Sequence, residues 1–422
     1  MTATPREKAN MGRVELDGGK MALHHGDCLA VMRGMEAASV TAIVTDPPYG
    51  LSFMGKEWDH GVPGEPYWAE ALRVAKPGAM LLAFGGTRTF HRLACAIEDA
   101  GWHIRDCLLW LQGQGFPKSL DVSKAIDKAK GAKRERIRGV SSNVVGPVYA
   151  QDKWSKANKG SVLSPLSLTT TAEPWSGYGT AMKPAWEAIL MAMKPVEGTF
   201  AANAERHGVA GINVDACRIG THKRVPGGSQ TTGAPCWLAK HGLASGFGPR
   251  DPNHSGMRAD VGRWPANVIL DEEAAEMLDE QSGELKSGKP TGQRRANHHW
   301  KSEETGTPLT GIGDSGGASR FFYVAKARTA ERTAGGRVVN KHPTVKPLAL
   351  MEWLCRLVTM PAGTVILDPF MGSGTTGVAC RRLGVDFVGI DNNAESFQTA
   401  KARIGVALGD LFQEDNQKGT LA

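Results

Sequence analysis

No apolar run in the 422 residues approaches the ~20 that a membrane span needs, and the opening MTATPREKAN has no apolar core of the secretory type. A cytoplasmic protein is the expectation. The seven cysteines (Cys28, Cys95, Cys107, Cys217, Cys236, Cys355, Cys380) are odd in number and contain no C-x-x-C pair, which excludes a disulfide framework or a zinc ribbon and points to reduced thiols. Adjacent histidines, His24-His25 and His298-His299, lack the i, i+4 spacing that sets two ligands on one helix face, so no metal centre is expected. No internal repeat is visible, which excludes a solenoid.

What the chain does have is a globular composition, 41% hydrophobic and 22% charged, with 52 glycines that imply many turns and a long loop-rich region. Net charge is +7, and its distribution is uneven: residues 117–160 hold 11 Lys and Arg against 4 acids. Such a concentration suits a polyanion, because phosphate contacts supply most sequence-independent affinity for DNA; a solvated helix surface is the plainer reading of the same feature.

From Met21 the pattern predicts strand, helix, strand: MALHHGDCL, a helix through VMRGM, then VTAIVTDPPYG. A helix around Tyr67 to Ala75 is expected to stop at Lys76-Pro77-Gly78, before a buried strand AMLLAFGG, a helix from Arg88 to Ala100 and a strand in WHIRDCLLWLQ. This alternation is the signature of a doubly wound, mostly parallel sheet. Residues 1 to about 20 read as a loose leader, 21–115 as the first half of the α/β domain, 116–180 as a basic insertion and 181–197 as a returning strand. Residues 198–337 read as an inserted, loop-rich recognition region with ordered islands at WPANVIL, DEEAAEMLDEQ and SRFFYVAKA; residues 338–407 return to α/β structure.

Gly372, Gly374 and Gly377 form G-x-G-x-x-G between the apolar strand GTVILDPF and the helix TTGVACRRLG, and Asp391 ends the next strand. Glycines there allow close backbone approach, and an acid at that distance can bond ribose hydroxyls, so a nucleoside-bearing cofactor is expected. The loop alone suits NAD as well as S-adenosylmethionine. The segment Asp46-Pro47-Pro48-Tyr49 favours the latter. An exocyclic base amine delocalises its lone pair into the ring; acceptors on both N–H bonds, the Asp46 carboxylate and the Pro47 carbonyl, would redirect that pair toward a methyl sulfonium. Paired prolines stiffen the loop. Tyr49 offers a face for stacking on a base extruded from its duplex. The rival Pro235-Cys236, a possible C5-cytosine nucleophile, lies far from any other motif. Trp110, Trp186 and Trp353 are expected to pack in the core.

Together these motifs resemble the amino-methylating DNA methyltransferases of the N6-adenine/N4-cytosine family, in the β group where the target-amine motif precedes the cofactor motif. The resemblance covers residues 21–115, 181–197 and 340–405, and the wording GLSFMGKEWD and GFPKSLDVSKAIDK is similar to phage and prophage members. It implies a circularly permuted, Rossmann-like sheet of seven strands. It also implies a target-recognition region in 198–337 and double-stranded DNA as partner, with the oligomer a monomer or a homodimer. The implied cofactor residues are Asp27 at the adenine, Lys346 of HPTVKP at the methionine carboxylate, Asp368, Phe370, Gly372, Gly374 and Thr375 in DPFMGSGTT, and Asp391 at the ribose. Family members of this order more often carry Ser in place of Asp46 when cytosine is the target, which favours N6 of adenine over N4 of cytosine. A nicotinamide oxidoreductase and a DNA-binding protein without catalysis remain the alternatives from other classes.

Overall fold

The computed structural model describes residues 12–51, 61–113, 115, 119–132, 136–137, 162–163, 169, 171–220, 262–286, 315–326, 333, 337–340 and 345–406. His298-His299, Pro235-Cys236, residues 342–344 and most of the basic segment beyond residue 132 lie outside the described residues. The chain divides into two compact units, residues 1–113 with 186–422, and residues 114–185.

The larger unit is built on a ten-stranded sheet. Its strands in chain order are β1 (Arg13–Leu16), β2 (Met21–His25), β3 (Val40–Thr45), β4 (Ala75–Gly85), β5 (His103–Leu111), β6 (Trp186–Met193), β7 (Val268–Asp271), β8 (Tyr323–Ala325), β9 (Val365–Asp368) and β10 (Asp386–Asp391). Across the sheet the order is β1-β2-β10-β9-β3-β4-β6-β5-β7-β8. All neighbours are parallel except β1 against β2 and β6 against both β4 and β5.

Helices cover both faces. On one lie α1 (Cys28–Gly34), α2 (Glu65–Val74) and α3 (Phe90–Asp99), which bury Val31, Met32, Trp68, Leu93 and Ile97 against Ile43, Leu81 and Leu367 of the sheet. On the other, residues Trp353 and Leu354, Val378 and Ala379, and Phe397 and Ile404 pack with Val44, Leu82, Phe84 and Ile366. These lie on Leu348–Leu357, Thr375–Leu383 and Ala394–Gly405; with α4 (Val122–Ala129) of the smaller unit, α5 (Phe200–His207) and α6 (Glu272–Ser282), they are α7, α8 and α9. Strands buried on both faces read as continuous apolar runs, which is why VTAIV and MLLAF are legible. Polar caps fix several helix starts, Asp27 on Ala30 N–H at 2.9 Å and Asn393 on Ser396 N–H at 2.9 Å among them.

Three details depart from expectation. Among the described residues the sheet has ten strands and not seven. The leader contributes β1, a four-residue edge strand whose alternation is too short to read, and the region 198–337 contributes β7 and β8. The ordered islands therefore extend the main sheet. Lys76-Pro77-Gly78 lies inside β4 at a register shift against β3, where the sheet tolerates a proline. Asn203 of α5 donates to the Pro77 carbonyl at 2.9 Å, and Gly78 N–H donates to the Lys194 carbonyl at 3.1 Å, so the punctuation is absorbed by tertiary bonds.

In the smaller unit α4 is capped by Asp121 and its buried Asp127 accepts from Thr169 Oγ1 at 2.7 Å. Trp175 and Tyr178 meet edge to face with centroids 5.5 Å apart, and both are exposed.

Leu367 sits fully buried where β9 meets β3. Leu367→Ala is expected to cost about 3 kcal/mol of stability in urea unfolding, as large-to-small changes at closed core positions do.

Candidate active site

Six neighbouring strands, β2, β10, β9, β3, β4 and β6, bring the predicted motifs to one edge of the sheet. Parallel pairing of Ile366 with Ala42 and Leu367 with Ile43 sets the end of β9 beside the end of β3. There the buried Thr45 hydroxyl donates to Asp368 Oδ1 at 2.7 Å, which ties the DPPY loop to the glycine loop.

Beyond Thr45 the DPPY loop is held at both ends. Thr89 Oγ1 donates to the Tyr49 carbonyl at 2.6 Å, and a Cβ on Gly86 would lie 2.9 Å from the Tyr49 ring, so glycine there permits the ring its seat. The Tyr49 hydroxyl lies 2.9 Å from Asp46 Oδ1 and 2.9 Å from Glu187 Oε2. Lys346 Nζ donates to the same hydroxyl at 3.0 Å and ion-pairs with Asp46 Oδ2 and Glu187 Oε2, each at 3.0 Å. Gln112 Nε2 donates to the other Glu187 oxygen at 2.8 Å. The Lys346 ammonium also lies over the Phe84 and Tyr49 rings, 4.8 and 5.2 Å from their centroids.

One buried cation thus serves two carboxylates and a phenol. Burial pushes the Asp46 carboxyl up from its ordinary value, with the Lys346 cation pulling against it and Glu187 adding to the rise. For Glu187 burial also acts upward, but Lys346 and the donors Gln112 and Tyr49 bring the carboxyl below its ordinary value. Tyr49 is pushed well up, by burial first and then by the two acids. Lys346 is held protonated: burial works against its charge, and Asp46 and Glu187 outweigh it.

On the cofactor side, Gly374 takes a left-handed conformation (φ 80°) at the start of α8, where a Cβ would lie 2.8 Å from Ala400. Asp391 accepts from Gly372 N–H at 2.9 Å and Asn393 N–H at 2.8 Å. Two backbone bonds leave two of its roughly four acceptor sites for a ligand diol. Its carboxyl is raised to about 6 by burial, against those two bonds. Asp27 follows β2, the strand paired with β10, and its Oδ1 caps α1. The Phe370 ring lies 6.3 Å from both Tyr67 and Trp68.

Asp368 is buried, with Oδ1 taken by Thr45 and Phe370 N–H and Oδ2 by Thr376 at 2.6 Å, so it braces the loop from within. Thr375 is buried too, and its hydroxyl accepts from Arg403 at 3.1 Å. The Arg403 guanidinium also holds the Ser373 carbonyl at 2.7 Å. Lys346, expected at the methionine carboxylate, has its ammonium at Asp46, Tyr49 and Glu187. Trp110 and Trp353 are buried in the core, and Trp186 packs edge to face on Phe90.

Sequence reasoning missed Glu187, Gln112 and Arg403. Glu187 had a signal: one acid at the head of the apolar strand WEAILMAM. Arg403 is one basic residue on a mostly polar helix, and only packing reveals that its charge turns inward.

A family model described as DNA methylase (N6_N4_Mtase) matches residues 40–402. The chain belongs to this DNA methylase family, and its cofactor is S-adenosylmethionine. The Type II methyltransferase M2.DpnII of Streptococcus pneumoniae is 50% identical over 65 residues, 15% of this chain and 24% of that protein. The Type II methyltransferase M2.LlaDCHI of Lactococcus lactis subsp. cremoris is 44% identical over 77 residues, 18% of this chain and 26% of that protein. The chain thus spans about a quarter of the length of these two relatives. The Type II methyltransferase M.HindIII of Haemophilus influenzae is 21% identical over 442 residues, 94% of this chain and 99% of that protein. Among solved structures, the M1.HpyAVI-SAM complex is 17% identical with TM-score 0.37, covering 91% of this chain and 99% of that one. PvuII DNA methyltransferase (cytosine-N4-specific) is 12% identical with TM-score 0.41, covering 93% of this chain and 89% of that one.

The braced Asp368 gives a pH signature. Its carboxyl is raised to about 7 by burial, against the Thr376, Thr45 and Phe370 bonds. A raised carboxyl favours the folded state most below the ordinary carboxylate value, and that contribution is lost as pH rises through the folded value. In urea unfolding the wild-type advantage over Asp368→Asn is expected to shrink between about pH 5 and about pH 8. A gap that stays constant or widens contradicts the placement.

Proposed function

We propose that the protein transfers a methyl group from S-adenosylmethionine to the exocyclic N6 of adenine in double-stranded DNA. The observation that carries this reading is the Thr45–Asp368 bond of 2.7 Å, which sets a carboxylate-proline-proline-tyrosine loop against a glycine loop suited to a nucleoside. Asp46 in place of serine favours adenine, and N4 of cytosine would use the same geometry.

When bound, S-adenosylmethionine supplies an electrophilic methyl carbon on a sulfonium. Asp391 is the candidate for its ribose hydroxyls and Asp27 for its adenine. Phe370, Gly372 and Gly374 line the approach, while Asp368 and Thr375 hold the loop in shape. The target base leaves its stack and lies on the Tyr49 ring. Asp46 Oδ and the Pro47 carbonyl accept from the two amine N–H bonds, so the nitrogen lone pair faces the methyl carbon. The cofactor would supply the methyl carbon and keep the electron pair of its C–S bond on sulfur. The nitrogen, transiently cationic, loses one proton to Asp46 or to water. Asp46, whose burial raises its proton affinity, is suited to receive it.

The region 198–337 is the candidate for sequence reading. Its described part stacks Arg218 on the exposed Trp264 at 5.5 Å and Arg263 and Arg320 on Phe321 at 4.6 and 4.4 Å. Basic residues of 117–160 are candidates for phosphate contacts, and binding is expected to weaken steeply with salt.

Asp46→Ala is expected to retain DNA and cofactor binding and to lose methyl transfer by roughly a hundredfold or more, as loss of a positioned acceptor does. Mass spectrometry of nucleosides after incubation with labelled cofactor reads both rate and base. N4-methylcytosine as sole product would remove the adenine assignment; unchanged transfer by Asp46→Ala would remove the mechanism. Gly86→Ala drives a methyl into the Tyr49 ring, and transfer is expected to fall about tenfold while the fold melts cooperatively as before.

A further inference from the structure

Resting on the methyl-transfer reading, we propose that the Lys346 ammonium occupies the seat of the target amine in the free protein, and that Glu187 is the positioning residue that receives this ammonium when the base enters. Three distances carry it. Lys346 Nζ lies 3.0 Å from Asp46 Oδ2, the acceptor assigned to the target amine, and 3.0 Å from the Tyr49 hydroxyl. It lies equally near Glu187 Oε2, at 3.0 Å. An ammonium is a nitrogen with N–H donors, as is the exocyclic amine, and it is directed at the same carboxylate above the ring on which the base would stack.

The exchange needs a second anion. Lys346 is largely buried, its side chain 10% exposed, and a buried ammonium does not leave one carboxylate without another. Glu187 provides it, and Gln112 at 2.8 Å orients Glu187 from the neighbouring strand. When the base amine takes Asp46, Lys346 stays on Glu187 and on the Tyr49 hydroxyl, so no charge crosses the pocket. Without a base, the cation stays paired with Asp46 at 3.0 Å.

The test compares Glu187→Gln with the double variant Glu187→Gln, Lys346→Met in steady-state methylation of DNA. In the single variant the ammonium has only Asp46 to pair with. The competent state becomes rare, and kcat/KM for DNA is expected to fall about 10–100-fold with the cofactor KM unchanged. Removing the lysine frees Asp46, so the double variant is expected to exceed the single one. A double variant as poor as or worse than Glu187→Gln overturns the inference, because a merely structural role gives losses that add. A cofactor KM that rises in step with the loss also overturns it and places Lys346 on the cofactor's carboxylate.

Should Glu187→Gln fail to fold, Lys346→Met alone decides. Asp46 would then face Glu187, Tyr49 and Asp368 with no cation. The acid limb of kcat/KM for DNA is expected to move to higher pH, and an unmoved limb overturns the inference. Wild-type protein that transfers no methyl to any DNA overturns the functional reading itself, an outcome distinct from active wild type with the wrong order of variants.

Discussion

The parallel pairing of β3 with β9 is the constraint on which the site depends. It joins segments 323 residues apart in sequence, as the Thr45–Asp368 bond records. Neither loop makes a site alone: the DPPY loop offers acceptors for an amine with no methyl donor of its own, and the glycine loop holds a cradle that suits several nucleosides. Loop-closure entropy grows only with the logarithm of loop length, so the long intervening region adds little to the cost of this pairing. The sheet can therefore carry a large insertion between the two halves of its active edge.

Given that pairing, the electrostatics follow from burial. Asp46, Glu187, Tyr49 and Lys346 share one pocket, and removal of Lys346 would leave two carboxylates there without a cation. A buried ion pair adds little net stability over an apolar core, while breaking one is expensive. The cluster is thus better understood as a device that fixes protonation and orientation than as a source of stability. Asp368 shows the other solution to the same problem: it is ringed by donors, yet burial without a cation raises its carboxyl to about 7. Burial raises both acids at these adjacent strand ends, and only at Asp46 does a lysine oppose the rise.

The central strands were legible because double-sided burial leaves continuous apolar runs, and the loops were legible because their residue types are chemically narrow: glycines that admit a ligand, prolines that stiffen, an acid and an aromatic. The edges were not. In β1, RVEL, alternate residues are half-buried on a single partner, and four residues are too few to distinguish from a solvated leader. Strands β7 and β8 were visible as the ordered islands WPANVIL and SRFFYVAKA, but their surroundings of turn residues gave no sign that they join the main sheet, where β7 pairs three residues with β5. Lys76-Pro77-Gly78 reads as a stop by local rules, and only Asn203 and Lys194, contributed from later in the chain, show how the strand carries it.

Glu187 was hidden for a topological reason. The active edge of a parallel sheet is the carboxyl end of its strands, so attention falls on residues that follow apolar runs, as Asp27, Asp46, Asp368 and Asp391 do. Strand β6 runs the other way. Ala188 pairs with Gly85, the last residue of β4, and the residue before Ala188 therefore projects just past the end of the parallel strands. An acid at the amino end of an apolar strand arrives at the same edge as acids at the carboxyl ends of its neighbours, and opposite Trp110 of β5 it has Gln112 two residues on to hold it. One reversed strand in an otherwise parallel group thus places an acid at the candidate active edge where a sequence pattern suggests only the start of core.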